Sequence, residues 1–244
     1  LKYVQKEKEI LETVRDGPFM NRIKYSFEDE NEIIYILEFL PVENLGKILH
    51  VRPFQETEIR FYGAEVIIGI EYLHSRGIMH RDLKIENIGL DINGHVAIID
   101  FGLSKKTDSD ETRKRTSSIC GTPGYIAPEI RKRVREGYDN AVDWYSMGSC
   151  FYRMLTSYSG VVLEDLKFPE DVSEELQDLI RNLLKKDPEE RLGGGGRGAD
   201  EIKAHPFFKD MDWTKVSEKK MEAPDISWIS GKPGSSAQMT GGKK

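Results

Sequence analysis

Between His80 and Gly102 the chain reads HRDLKIENIGLDINGHVAIIDFG, and no other stretch restricts the fold as much. Two apolar runs, Ile88–Leu90 and His95–Ile99, flank Asp91-Ile92-Asn93-Gly94, whose chemistry is that of a β-hairpin turn. Polar groups stand at both feet of this hairpin: Asp82, Lys84 and Asn87 before it, Asp100 after it. Asp82 can accept or orient the proton of an attacking hydroxyl, and Lys84 can neutralise charge on a phosphoryl group in flight. Asn87 and Asp100 are hard oxygen ligands suited to Mg2+, which binds through few protein ligands plus phosphates and water. Such a transfer asks little covalent work of the protein, so positioning and electrostatics carry it. A lone Asp-Phe-Gly is an ordinary turn, and a lone His-Arg-Asp is an ordinary surface loop. Here H-R-D-L-x-x-x-N, an alternating apolar run, D-F-G and then Ala127-Pro128-Glu129 occur together and in order.

That ordered set resembles the catalytic region of eukaryotic protein kinases, and Lys84 is the residue type of their serine/threonine class. The resemblance implies an α+β, two-lobed fold with a small sheet-bearing N-lobe, incomplete here, and a larger, mainly helical C-lobe. Residues 1–40 are then the partial N-lobe, 41–209 the C-lobe with catalytic loop and activation segment, and 210–244 a C-terminal tail. It also implies transfer of the γ-phosphoryl group of MgATP to protein Ser/Thr hydroxyls, with ATP and Mg2+ as cofactors. Asp82 and Lys84 become the catalytic pair, and Asn87 and Asp100 the metal ligands. Nucleotide contacts fall to Lys2, Glu7, Glu38, Leu40, Glu86, Asn87 and Asp100. Within these, Glu38-Phe39-Leu40 corresponds to the hinge against the adenine edge, with Leu37 as gatekeeper.

Composition sets bounds on partners and setting. A net charge of −6 gives no support for a nucleic-acid binder and favours a basic protein partner through long-range steering. No apolar run approaches the ~20 residues that span a bilayer, and no signal-peptide pattern opens the chain. Two cysteines, Cys120 and Cys150, make no disulfide framework, so the expected setting is reducing, cytoplasmic or nuclear.

Along the chain, LKYVQK at 1–6 reads as the end of a strand, and Glu7–Val14 as a helix with Ile10, Leu11 and Val14 on one face. Ile23–Phe27 and Glu32–Phe39 read as strands. Thr57–Arg76 is a long amphipathic helix stopped by Gly77, and Asn140–Leu155 is apolar on nearly all sides, which predicts a buried helix. Ser173–Leu184 and Ala199–Ala204 are further helices, and from Asp225 a Ser-, Gly- and Lys-rich tail follows.

The resemblance assigns further roles. Lys2 matches the strand lysine that contacts nucleotide phosphates, and Glu7 its helical partner. Only four residues separate them, too few for the intervening turn and helix, so residues are expected to be missing between Lys6 and Glu7. The junction Gly160–Val161 suggests the same, and no glycine-rich phosphate loop precedes Leu1. Leu11, Ile23, His80, Phe101 and Asp143 match the buried stack that ties the lobes together. RTSSICGTPGYIAPE, 115–129, resembles an AGC-group activation segment, with Ser118 as phosphosite, Ser117 as second candidate and Arg81 as phosphate partner. A protein substrate with basic residues near the phosphoacceptor is implied, as is an upstream activating kinase. Thr122 and Pro123 shape the substrate platform, and Glu129 and Arg191 match a buried ion pair.

DPEERLG at 187–193, RGADEIKAHPFF at 197–208 and Asp212-Trp213 narrow the likeness to the AGC group, near the ribosomal S6, mitogen- and stress-activated and G-protein-coupled-receptor kinases. Four positions depart from that pattern. Gly89 replaces an apolar floor under the adenine, Gly124 and Arg153 stand where glutamates are usual, and His80 replaces tyrosine. Gly89 and the absent glycine loop keep an alternative open, a catalytically silent kinase-like binding module.

Overall fold

The structure, a computed structural model, describes residues 2–29, 32–42, 44–107, 116–131, 137–157 and 166–226. It opens with helix α1 (Lys2–Val14), followed by the antiparallel hairpin β1 (Ile23–Glu28) and β2 (Ile33–Leu37). Short α2 (Leu45–Leu49) leads into long α3 (Glu56–Ser75) and the two-residue β3 (Ile78–Met79). A 3-10 turn at Ile85–Asn87 then feeds the hairpin β4 (Ile88–Leu90) and β5 (Val96–Ile98). β6 (Lys105–Lys106) pairs back on β3. Beyond it come α4 (Pro128–Arg131), α5 (Ala141–Thr156), α6 (Glu174–Leu183), α7 (Gly198–Lys203) and α8 (Trp213–Ser217).

The expected strand at 1–6 is not formed. α1 runs unbroken from Lys2 through Glu7 to Val14, so in place of a strand and a separate helix the two segments form one helix. The physical reason is local: Lys, Gln and Glu are good helix formers, no Gly or Pro interrupts them, and Ile10, Leu11 and Val14 anchor the helix in the core. Gly160–Val161 lies outside the described residues, as does the tail beyond Ile226.

The core is built on three helices. α3 is buried on most sides, and Ile59, Ile67, Ile70 and Leu73 are fully enclosed. Its start is fixed where the Gln55 amide donates to Glu58 Oε2 at 2.8 Å, and Arg52 holds both Glu58 oxygens. α5 carries the apolar surface that its sequence predicts, with Trp144 and Met147 enclosed. α6 starts on Ser173, whose Oγ accepts from the Leu176 amide at 3.1 Å, and lays Leu176, Leu179, Ile180 and Leu183 into the core. Gly148 permits a close approach of α5 to α6: a Cβ there would lie 2.8 Å from Leu183 Cβ.

The central hairpin is stitched to both sides of the molecule. Ile98 donates to Phe19 O at 2.7 Å and accepts from the Asn21 amide at 3.0 Å, while Leu90 donates to Val42 O at 3.0 Å. The residues after α8 return to the same hairpin, where Lys219 meets Asp91 at 2.7 Å and Ala223 packs on Gly94. β1–β2 keeps Tyr25, Phe27, Ile34 and Ile36 exposed on its surface.

Arg191, with no exposed surface, is held by Glu129 through Nη1–Oε1 at 2.6 Å and Nη2–Oε2 at 2.9 Å. It also donates to Ala141 O and Lys185 O, joining α4, the start of α5 and the end of α6. Two buried charges with matched hydrogen bonds tolerate each other; either alone is strongly unfavourable. Arg191→Met or Glu129→Gln is therefore expected to lower the unfolding free energy by about 3–5 kcal/mol, read from urea denaturation.

Candidate active site

The site grows from one carboxylate on α5. Asp143 is wholly buried and accepts the His80 amide (Oδ2, 3.0 Å), the Arg81 amide (Oδ1, 2.8 Å) and His74 Nε2 (Oδ2, 2.8 Å). Burial alone would push its pKa up, but the hydrogen bond and charge of His74, with His80 and the Arg81 amide, hold it below the usual aspartate range. These bonds pin the loop where Arg81 adopts φ 67°, a left-handed conformation unusual outside glycine. His80 fixes the far side. Its Nδ1 accepts from the Asp82 amide at 3.3 Å, which leaves Nε2 to donate to Ile99 O at 3.2 Å. Its ring packs against Phe101, with centroids 5.4 Å apart. Leu11, Ile23, His80, Phe101 and Asp143, the five expected stack residues, are all buried.

Asp82 is thereby presented between three polar side chains. Thr122 Oγ1 donates to Oδ1 at 2.7 Å, and Lys84 Nζ donates to Oδ2 at 3.0 Å and to Thr122 Oγ1 at 3.0 Å. Asn87 Nδ2 donates to Asp82 O at 2.9 Å and to Oδ2 at 3.3 Å. The 3-10 turn makes this possible, because Asn87 N donates back to Lys84 O at 2.8 Å. Asp82, Lys84, Asn87 and Thr122, spread over 41 positions of sequence, form one hydrogen-bonded group.

Across from it, Asp100 adopts φ 63° and exposes its carboxylate, steadied by the Gly102 amide at 3.2 Å. Glu7 of α1 comes to the same place. A point one Cβ bond out from Gly102 is 3.2 Å from Asp100 Oδ1 and 3.8 Å from Glu7 Oε1. Burial and the charge of Asp100 raise the Glu7 pKa, and among the described residues no cation stands among those influences. The Asn87 amide spends its N–H donors on Asp82, which leaves its carbonyl oxygen as the group to offer a cation. This donor set of one carboxylate and one amide oxygen fits Mg2+, which completes its shell with phosphates and water.

A second corner surrounds Ser118, which is exposed. Arg81 Nη1 donates to Ser118 Oγ at 2.5 Å and Arg81 Nε to Leu103 O at 2.7 Å. Tyr138 OH donates to Ser118 O at 2.6 Å. Lys105 approaches through Thr116, donating to its Oγ1 at 2.9 Å, and Thr116 Oγ1 lies 3.3 Å from Ser118 Oγ. Lys105, Tyr138 and His74 do not stand out in the sequence. None sits in a recognisable motif, and only folding brings them to the loop.

Some expected site residues are placed otherwise. Lys2 shares a helix with Glu7 and does not face it from a strand. Glu86, assigned to the nucleotide, has both carboxylate oxygens engaged: Arg153 Nη1 at 2.8 Å from Oε1, and Tyr125 OH donating to Oε2 at 3.2 Å. Glu38 pairs through its side chain with Lys24 at 3.2 Å, and its amide donates to Arg22 O. It and Leu40 follow β2 in irregular backbone.

This geometry and the matching of residues 1–208 to the protein kinase domain make the chain a member of the protein kinase family. Among its relatives, ribosomal protein S6 kinase alpha-4 of Mus musculus is 39% identical over 239 residues, covering 91% of this chain and 31% of that protein. Serine/threonine-protein kinase AtPK2/AtPK19 of Arabidopsis thaliana is 38% identical, covering 94% of this chain and 50% of that protein. RAC-beta serine/threonine-protein kinase A of Xenopus laevis is 39% identical over 85% of this chain and 44% of that protein. The relatives are of the AGC type, and the chain spans half their length or less.

The low pKa of Asp143 has a pH consequence. A carboxyl depressed on folding stabilises the protein above the unfolded value and loses that contribution as pH falls through the folded value. Asp143→Asn is therefore expected to be less stable than wild type at pH 7, with the gap closing below about pH 4. Urea denaturation of both proteins across that range measures it.

Proposed function

We propose that the chain is the catalytic part of a serine/threonine protein kinase that transfers the γ-phosphoryl group of MgATP to a protein hydroxyl. The observation that carries this reading is the Asp82 carboxylate held between Lys84 and Thr122 beside Asn87. Asp82 Oδ2 accepts from Lys84 and Asn87, whereas Oδ1 accepts from Thr122 and retains a further lone pair for the incoming hydroxyl, which Asp82 orients and whose proton it receives. Lys84, already cationic beside that carboxylate, offsets charge on the phosphoryl group. Asn87 and Asp100 would hold Mg2+, whose contribution when bound is to neutralise phosphate charge. Residues 1–40 then act as part of the N-lobe, 41–209 as the C-lobe and 210–244 as the tail.

Ser118 is proposed as a site for an upstream kinase. A phosphate there would add nearly two negative charges next to Arg81, with Lys105 reached through Thr116. The net charge of −6 supports a basic protein substrate at long range. Among the described residues no helix is long and apolar enough to cross a membrane, and Cys120 and Cys150 are both free. These two features support a cytoplasmic or nuclear setting.

The test is Mg2+-dependent phosphate transfer from ATP to a serine/threonine peptide library. Asp82→Asn should lower the rate by roughly 10²–10⁴-fold. Asp100→Asn should bring it to background while near-native circular dichroism is kept. Undiminished Mg2+-dependent transfer in either variant would remove the assignment.

A further inference from the structure

Net charge speaks for substrate choice only at long range; the side chains beside Asp82 speak at short range. Glu86 lies four residues after Asp82, and its side chain is 39% exposed. Its Oε1 faces Arg153 Nη1 at 2.8 Å, and its Oε2 accepts from Tyr125 OH at 3.2 Å. Arg153 Nη1 also donates to Tyr125 OH, so the three side chains close a ring. Tyr125 follows three residues after Thr122, the residue bonded to Asp82, and its amide donates to Thr122 O. The ring therefore adjoins the Asp82–Thr122 contact at which a protein hydroxyl would arrive.

Arg153 projects from the last turns of α5, so its stem is fixed by a buried helix. Burial works against its charge, but Tyr125 and Glu86 more than compensate and raise its pKa. The side chain keeps 21% exposure, and its buried Nε has no hydrogen-bond partner among the described residues. A guanidinium has five N–H donors, and the contacts to Glu86 and Tyr125 run through Nη1 alone.

We propose that Arg153 sets the charge preference of this shelf: it cancels Glu86, so the substrate residue lying there is selected to be neutral or acidic, not basic. The proposal rests on the kinase reading given above. A cationic substrate side chain can reach Glu86 only by displacing Arg153 and Tyr125, and it meets a like charge on the way. An anionic side chain meets a guanidinium with donors to spare. The overall field and the shelf thus act differently: the first speeds encounter with basic proteins, the second sorts residues at contact distance.

The experiment uses fluorescent serine peptides that differ only in carrying Arg, Gln or Glu at single positions flanking the serine. Binding to the full chain is measured by anisotropy, with phosphate transfer followed in parallel. Wild type should bind the Glu peptides at least as tightly as the Arg peptides at the position that reads the shelf. Arg153→Gln frees Glu86 and should move the preference on the order of tenfold toward Arg. Glu86→Gln frees Arg153 and should move it toward Glu, and the double variant should return near the wild-type ratio. A wild-type preference for Arg at every position overturns the proposal, as do absent shifts or shifts of the same sign in both single variants. Should Arg153→Gln fail to fold by circular dichroism, the direction of the Glu86→Gln shift decides alone. Because binding is read without turnover, opposite shifts with no phosphate transfer would count against the kinase reading and leave the shelf assignment standing.

Discussion

Everything in the site hangs on a negative charge that ought to be unfavourable where it is. Asp143 sits in the first turn of α5 with no solvent, and an unpaired carboxylate there would have neutralised itself. Two backbone amides and His74 make it an ion instead. The return is geometric. A non-glycine residue at positive φ, such as Arg81, costs about 1–3 kcal/mol and persists only where its surroundings over-determine it. The carboxylate supplies that surplus, and the strained turn aims Asp82 one way and the Arg81 guanidinium the other, toward Ser118.

Charge is handled differently on the two sides of the site. Asp82 and Glu86 each have a cation already in place, Lys84 and Arg153. Asp100 and Glu7 face the same small space, where burial and the charge of Asp100 raise the Glu7 pKa. Paired carboxylates position or repel substrate groups without drawing an ion from solution. The opposed ones create a field that a divalent cation relieves. Among the described residues, the side on which metal and nucleotide are expected is therefore the side whose carboxylates have no paired cation.

How much of this was legible in the sequence depends on whether a feature is local. The β4–β5 hairpin, the turn at Asp91–Gly94, the α5 helix apolar on nearly all sides and the helix start at Ser173 were readable because a few adjacent residues determine them. Asp82, Asn87 and Asp100 were readable as candidates because they flank that hairpin at fixed spacing. The Glu129–Arg191 pair, 62 residues apart, came only from family resemblance. The partnership of Glu86 with Arg153 was not visible, since it depends on how the end of α5 meets the catalytic loop. Lys2 shows the opposite failure. Four residues of strand-like composition were outweighed by the ten helix-forming residues after them, because a helix already nucleated extends at little expense.

Geometry and selectivity then share one support. Asp143 and Arg153 stand ten residues apart on α5, the first fixing where Asp82 points and the second fixing the charge of the shelf beside it. A helix enclosed on nearly all sides moves as a rigid unit, so neither residue can drift without the other. Gly148 lies midway between them, where α5 packs tightly against Leu183 and Leu184 of the α6 end. A side chain there would press on Leu183 and Leu184 and separate the helices along the axis that carries both residues. The close packing of α5 on α6 is remote from the phosphate chemistry, yet it holds catalytic aim and substrate preference in register with each other.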